Sequence, residues 1–267
     1  MQESQGHSIE EIGIRVPPPL AGNRALRDLV HRLAEGLRAE AVPLARREIA
    51  RAPEAKLETL LALMKVLVFG RADALAEELA DGDTPVACGP GCTACCYQTV
   101  QATIPEAILI ALRLGDPADP RRERVLDAAE AFQGMSPRER RRTGKPCPLL
   151  VDQRCSVHDD RPLACRAVLS ANAEGCRASL LSVLAGRDEL PNDYFLAAQY
   201  LIRGDGAALQ GICRDLGLQH EAFDLVQMLA ALIRDPGIIE RWLAGERVFA
   251  TVPSPKPPTK RNDHEQP

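Results

Sequence analysis

Aromatic residues are scarce in this chain, with one tryptophan, three tyrosines and five phenylalanines among 267 residues. So few rings supply no stacking platform for bases. Charge of one sign is equally short: 33 basic side chains face 37 acidic ones for a net charge of -4, so a basic footprint for nucleic acid is missing. No nucleic-acid partner is expected. Long apolar runs are absent too. The most apolar stretch, residues 60–69, contains Lys65 and falls well short of the roughly 20 apolar residues a membrane helix needs. Residues 1–19 are polar and acidic before Pro17-Pro18-Pro19, with no basic segment leading into an apolar one. No signal peptide is read, no membrane association is expected, and the expected address is cytoplasmic. The phosphate-loop, dinucleotide and nucleophile-elbow patterns are missing. What remains, at 45% hydrophobic and 26% charged, is an ordinary globular composition with enough chain for a real core.

The flanks read as helical. Leu26, Leu29, Val30, Leu33 and Leu37 recur at spacings of three and four. Pro43 and Pro53 are expected to break that region into two or three helices. A helix over 71–80 is expected to stop at Asp81-Gly82-Asp83. Ile104-Pro105-Glu106 opens another helix to about Leu114, with proline in its first turn. A charged helix over 121–132 follows. The arginine-rich stretch 136–145 is expected to be a connector with a solvated face. Residues 147–157 read as a small hairpin or irregular loop. Helical periodicity resumes near Ala178 and runs to about Ala244, with breaks expected at Pro191, 204–206 and Pro236. The fold class expected is mainly α, around a central loop-rich module coordinated by cysteine. The boundaries expected are a flexible N-terminus over 1–20, helical regions over 21–84 and 179–250, a cysteine-cluster metal-binding domain over 85–178, and a disordered tail over 251–267.

Cysteine is the anomalous residue. Eight of nine lie between Cys88 and Cys176, as the compact set Cys88, Cys92, Cys95 and Cys96 and the spaced set Cys147, Cys155, Cys165 and Cys176. A C-x2-C turn can direct two thiolates to one ion at about 2.3 Å, as tetrahedral sites require. Gly89 and Gly91 let the backbone curl where a Cβ would obstruct it. In an extended segment Cys95 and Cys96 point opposite ways, leaving one of them free to reach a second centre or to bridge. Four thiolates around a divalent zinc leave a net charge of about -2, which asks for cationic neighbours. Arg154, Arg161, Arg166 and Arg177 are the candidates by proximity in sequence, and ordinary surface arginines are the alternative. His158, among the cysteines, is either a ligand or a solvated loop histidine. Cys213, isolated in GICRDL, reads as a small buried hydrophobe. Disulfides are the competing use of the other eight, disfavoured in a reducing compartment.

The order Cys88, Cys92, Cys95-Cys96, then Cys147-Pro148-Leu149-Leu150, Cys155-Ser156-Val157-His158, Arg161-Pro162-Leu163-Ala164-Cys165-Arg166 and Cys176-Arg177 resembles the YkgJ-type cysteine-cluster family. That family is described as a zinc- or iron-chelating domain with a CxxCxxCC signature. The resemblance covers residues 85–178. It departs from the family in the three-residue first gap and in His158, where a tyrosine is common. It implies that the eight cysteines bind zinc or iron, with an iron–sulfur cluster among the forms the metal can take. Glu106 resembles an acidic position in the family, although a first-turn glutamate favoured by the helix dipole accounts for it as well. An enzymatic relative, the flagellin lysine N-methylase, implies the alternative of an iron–sulfur methyltransferase-like enzyme. A third reading is an interaction protein whose metal staples a surface for a protein partner.

Overall fold

The computed structural model describes residues 24–89 and 91–250; the expected flexible N-terminus and disordered tail lie outside the described residues. Among these residues the protein is mainly helical, with two short antiparallel strand pairs.

Helix α1 (Arg24–Arg51) buries Val30, Ala34, Leu37, Ala41, Val42 and Ala45 along one face. Pro43 was expected to break it, and the helix runs straight through. The reason is tertiary: Ala41 and Val42, just before the proline, pack with Ile212 of the long helix α9 (Leu196–Asp215), and packing of a face outweighs a local propensity cost. Pro53 does interrupt the chain, in a 3-10 turn (Pro53–Ala55) that leads into α2 (Lys56–Leu63). A π-helical stretch (Met64–Phe69) joins α2 to α3 (Gly70–Ala80) without a break.

The expected break over 204–206 is also absent, because these residues lie inside α9. Gly204 and Gly211 instead admit α1. A Cβ on Gly204 would lie 2.5 Å from Val30 Cγ1, and one on Gly211 would lie 2.7 Å from Arg38 Cδ. Gly206 differs, since a Cβ there meets Leu163 Cδ1 at an ordinary 3.7 Å. Gly204→Ala is therefore expected to destabilise by about 1–3 kcal/mol through overpacking. Gly206→Ala is expected to stabilise by up to about 1 kcal/mol through helix propensity. Chemical denaturation of the two variants reads the opposite signs.

Two strand-to-helix units form the other half. Strand β1 (Gln101–Thr103) runs into α4 (Ile104–Arg113), and β4 (Ala222–Asp224) runs into α10 (Leu225–Arg234). The strands pair antiparallel, with Gln101 opposite Asp224 and Thr103 opposite Ala222. Their helices pack on each other, Ile104, Ile108 and Ile110 of α4 are buried, and α5 (Pro120–Phe132) also packs on α10. Trp242 in α11 (Ile238–Leu243) is fully enclosed and donates its indole N–H to Gln219 O at 2.9 Å. One apolar core joins the N-terminal helices, the cysteine segment and the C-terminal helices, from Ala34 and Leu60 through Leu163 and Ala167 to Trp242.

The arginine-rich stretch is a helix, α6 (Pro137–Arg142), rather than a connector, and its start is capped by Ser136 and Glu139. Arg140 and Arg141 are buried, so the solvated face expected there is corrected for these two residues. Arg140 pairs with Asp224 at 2.7 Å and stacks 4.1 Å from the Phe132 ring centre, and Arg141 pairs with Glu189. Helix α8 (Ala173–Leu184) begins ahead of the expected Ala178, because the Asn172 side chain accepts the Gly175 N–H at 2.7 Å and caps it. No helix among the described residues is long and apolar enough to cross a membrane.

Candidate metal centre

The eight clustered cysteines come from four segments of the chain, residues 88–96, 147–155, 165 and 176. Cys88 and Cys92 stand in the loop after α3, where Gly91 adopts φ +87° and Cys92 N donates to Gly89 O at 3.0 Å. Cys95 and Cys96 lie in a 3-10 turn (Ala94–Tyr97). The extended backbone assumed for this pair is therefore corrected: a tight turn holds the two thiols as close electrostatic neighbours. Cys147 is tied to the same turn by its N–H, which donates to Cys96 O at 2.7 Å. Cys155 ends a hairpin of β2 (Leu150–Val151) and β3 (Arg154–Cys155), whose tight turn places Asp152 and Gln153 in the left-handed region. Cys165 sits in the short helix α7 (Leu163–Arg166), and Cys176 in the first turns of α8.

All nine cysteines are free thiols. Their electrostatic neighbours fall into two overlapping groups. Cys88 senses Cys92, Cys95 and Cys176, and Cys92 senses Cys95 and Cys176. Cys165 senses Cys147, Cys95 and Cys155, and Cys96 senses Cys95, Cys147 and Cys165. Cys95 is common to both. Cys213 stands apart from these groups, buried in α9, where burial pushes its thiol up to about 12.

Burial raises most of these thiols, and mutual repulsion adds to it. The Cys147 thiol is pushed up to about 11, and Cys165 rises well above an ordinary thiol. Cys95 goes the other way, down to about 7, because Cys96 donates a hydrogen bond to its sulfur and Arg161 and Arg141 lie near. The same bond holds the proton on Cys96. A set of crowded, half-buried thiols is costly to ionise together and stabilised by any cation that neutralises it.

Of the arginines named from sequence, Arg161 lies among the cysteines: Cys155, Cys165 and Cys95 all sense its charge, and burial pulls its guanidinium below the usual pKa. Arg166 is buried for structural reasons. It pairs with Asp73, donates to the carbonyls of Arg161 and Asp159, and stacks 4.3 Å from the Phe69 ring centre. Arg177 is exposed, near enough to favour the Cys92 thiolate, and Arg154 is exposed. His158 is exposed with Nδ1 3.1 Å from Arg161 Nη1. Sequence reasoning missed Arg140 and Arg141, whose charges favour the Cys147 and Cys95 thiolates from buried positions. The paired apolar and charged neighbours of α6 lie far along the chain, so no local signal marked them.

Glu106 does more than complete the first turn of α4. Its carboxylate accepts from Thr103 N at 2.6 Å, from Thr103 Oγ1 at 2.7 Å and from Leu163 N at 2.7 Å. It thus caps α4 and the start of α7 together, and α7 carries Cys165. Across α8, the Asn192 amide donates to Cys176 Sγ at 2.7 Å and to Ser170 Oγ at 3.1 Å.

Among the described residues no three His, Cys, Asp or Glu side chains stand in an arrangement ready to hold a metal ion. The donor chemistry nonetheless fits one: a sulfur-rich set with cationic neighbours suits zinc and iron–sulfur centres rather than calcium or magnesium, although Asp224, Asp159 and Glu106 also lie within electrostatic reach of Cys147, Cys155 and Cys165. Among known proteins, residues 87–180 match the family model CxxCxxCC, described as a putative zinc- or iron-chelating domain. Searches of curated proteins and of solved structures found no match. The matched segment takes in every clustered cysteine, from the loop after α3 to the first turns of α8.

Proposed function

We propose that the chain chelates zinc or iron through Cys88, Cys92, Cys95, Cys96, Cys147, Cys155, Cys165 and Cys176, in two adjoining thiolate groups that meet at Cys95. The observation that carries this reading is the gathering of eight free thiols from four separate segments, with Cys95 electrostatically coupled to both sets. Arg161, Arg141, Arg140 and Arg177 would offset the thiolate charge. Bound metal would join the loop after α3, the hairpin, α7 and α8, and would add its binding free energy to the stability of the domain. Free thiols of this kind persist in a reducing cytoplasm, which is the proposed address.

Purification without oxygen, followed by elemental analysis and a visible spectrum, tests the reading. The expected result is zinc or iron bound to the chain and lost when cysteines of the cluster are replaced. Iron with sulfide and a broad visible absorption would make the centre an iron–sulfur cluster and bring the methyltransferase-like alternative forward. Colourless protein with zinc would favour a closed structural or carrier site. Folded, metal-free protein that takes up neither metal on reconstitution would overturn the proposal.

A further inference from the structure

The matched domain ends at residue 180, yet the segment after α8 is laced back onto it. Ser170 and Tyr194 form an antiparallel bridge, Ala171 N donates to Asp193 O at 2.9 Å, and Phe195 N donates to Leu169 O at 3.0 Å. The lacing brings two polar side chains to one sulfur. The Asn192 amide donates to Cys176 Sγ at 2.7 Å, and the Tyr194 hydroxyl interacts closely with both Asn192 and Cys176. The Tyr194 ring packs with Ala94, Cys176 and Leu180, closing the apolar side of the same spot. The approach is close enough to need glycine on the facing helix, because a Cβ on Gly175 would lie 2.4 Å from Asn192 Oδ1. Asn192 Oδ1 is buried without a hydrogen-bond partner. An amide held there with one end on a thiol and the other unsatisfied is a costly arrangement for a purely structural loop.

We infer that Asn192 and Tyr194, which lie outside the matched domain, are positioning residues of the metal centre: their N–H and O–H donors fix the Cys176 sulfur and draw negative charge from it. The inference rests on the chelation reading. It extends the site to residues 192–194 and makes the Cys88, Cys92 and Cys176 group chemically distinct from the other, to whose sulfurs no side-chain amide or phenol donates among the described residues. Donors to a bound thiolate lower its electron density, orient it, and typically alter metal affinity by about 10–100-fold when removed. Gly175 then follows as the residue that lets the amide reach the sulfur.

The test uses the full chain, reduced and stripped of metal, titrated with Co²⁺ without oxygen. It reads the sulfur-to-cobalt charge-transfer band and, by chelator competition, the affinity. Tyr194→Phe, which removes one oxygen, is expected to weaken Co²⁺ binding about tenfold. Asn192→Asp, the same size with a carboxylate facing the thiolate, is expected to weaken it further. In both, the charge-transfer band should move to lower energy, because a sulfur stripped of its donors gives up electron density more easily. A band left unmoved in both variants overturns the inference, even where the melting temperature of the metal-free chain falls, since that pattern describes a structural loop. A wild-type chain that takes up no Co²⁺ overturns this inference, and one that also takes up neither zinc nor iron on reconstitution overturns the chelation reading itself.

Discussion

Replacing Glu106 by alanine is expected to cost the fold about 3–5 kcal/mol, the range for stripping a buried, hydrogen-bonded charge from its partners. The side chain is 2% exposed, and its oxygens accept two backbone N–H groups and one hydroxyl. Alanine leaves Thr103 N and Leu163 N without their carboxylate acceptor in a buried spot. For a chain of this size the loss corresponds to a fall of roughly 10 °C in melting temperature. Glu106→Gln should cost less, about 1–3 kcal/mol, because it keeps one acceptor oxygen but turns an NH₂ group toward a donor. The pH dependence separates the two effects. Burial outweighs the three donors and pushes the Glu106 carboxyl above its ordinary value. The folded state therefore binds this proton more tightly than the unfolded state. Its contribution is fully present below the ordinary carboxylate range and declines as pH rises toward the folded value. Denaturation of wild type against Glu106→Gln across that range should show the wild type losing ground as pH rises. A flat difference would mean that Glu106 is ionised throughout. The variant should also lower metal retention, because Leu163 opens the turn that presents Cys165.

The sequence made the helices and the cysteine set legible for different physical reasons. Apolar spacing along α1, a proline at the first turn of α4, and the stop near Gly82 are local signals, and the elements lie close to where they point. The hairpin at 150–155 was readable as a short interrupted segment. Pro43 and Gly204 misled because their local meaning is a break, whereas the neighbouring helix supplies the packing that keeps each helix continuous. The strands β1 and β4 are three residues each, too short for alternation to register, and each is defined by a partner over a hundred residues away. The buried pair Arg140 and Arg141 reads as a solvated charge run because its acceptors, Asp224 and Glu189, are remote in sequence. The same remoteness hid Asn192 and Tyr194. Cysteine spacing carried the candidate site, but the sharing of Cys95 between two groups is a property of the assembled turns.

That sharing gives the second large effect. Cys95→Ser is expected to remove metal from both thiol groups, whereas Cys92→Ser should empty one group and Cys165→Ser the other. Cys88 and Cys92 have Cys95 as a charged neighbour on one side, and Cys155 and Cys165 have it on the other. Its sulfur is also the thiolate most available near neutral pH, at about 7, because Cys96 donates to it and two arginines face it. Such a group ionises far more readily than a thiol raised by burial, such as Cys147. Cys95 is thus the natural first ligand, and the thiols raised by burial ionise only once a cation offsets their repulsion. Elemental analysis and native mass spectrometry of the four variants, with Cys213→Ser as the control, read the pattern directly. Equal partial losses in Cys92→Ser, Cys95→Ser and Cys165→Ser would describe one undivided site. Full retention in Cys95→Ser would remove Cys95 from the centre altogether. A loss in Cys213→Ser would contradict its isolation in α9, where it packs in the apolar core and burial, with the nearby Glu106, keeps its thiol protonated.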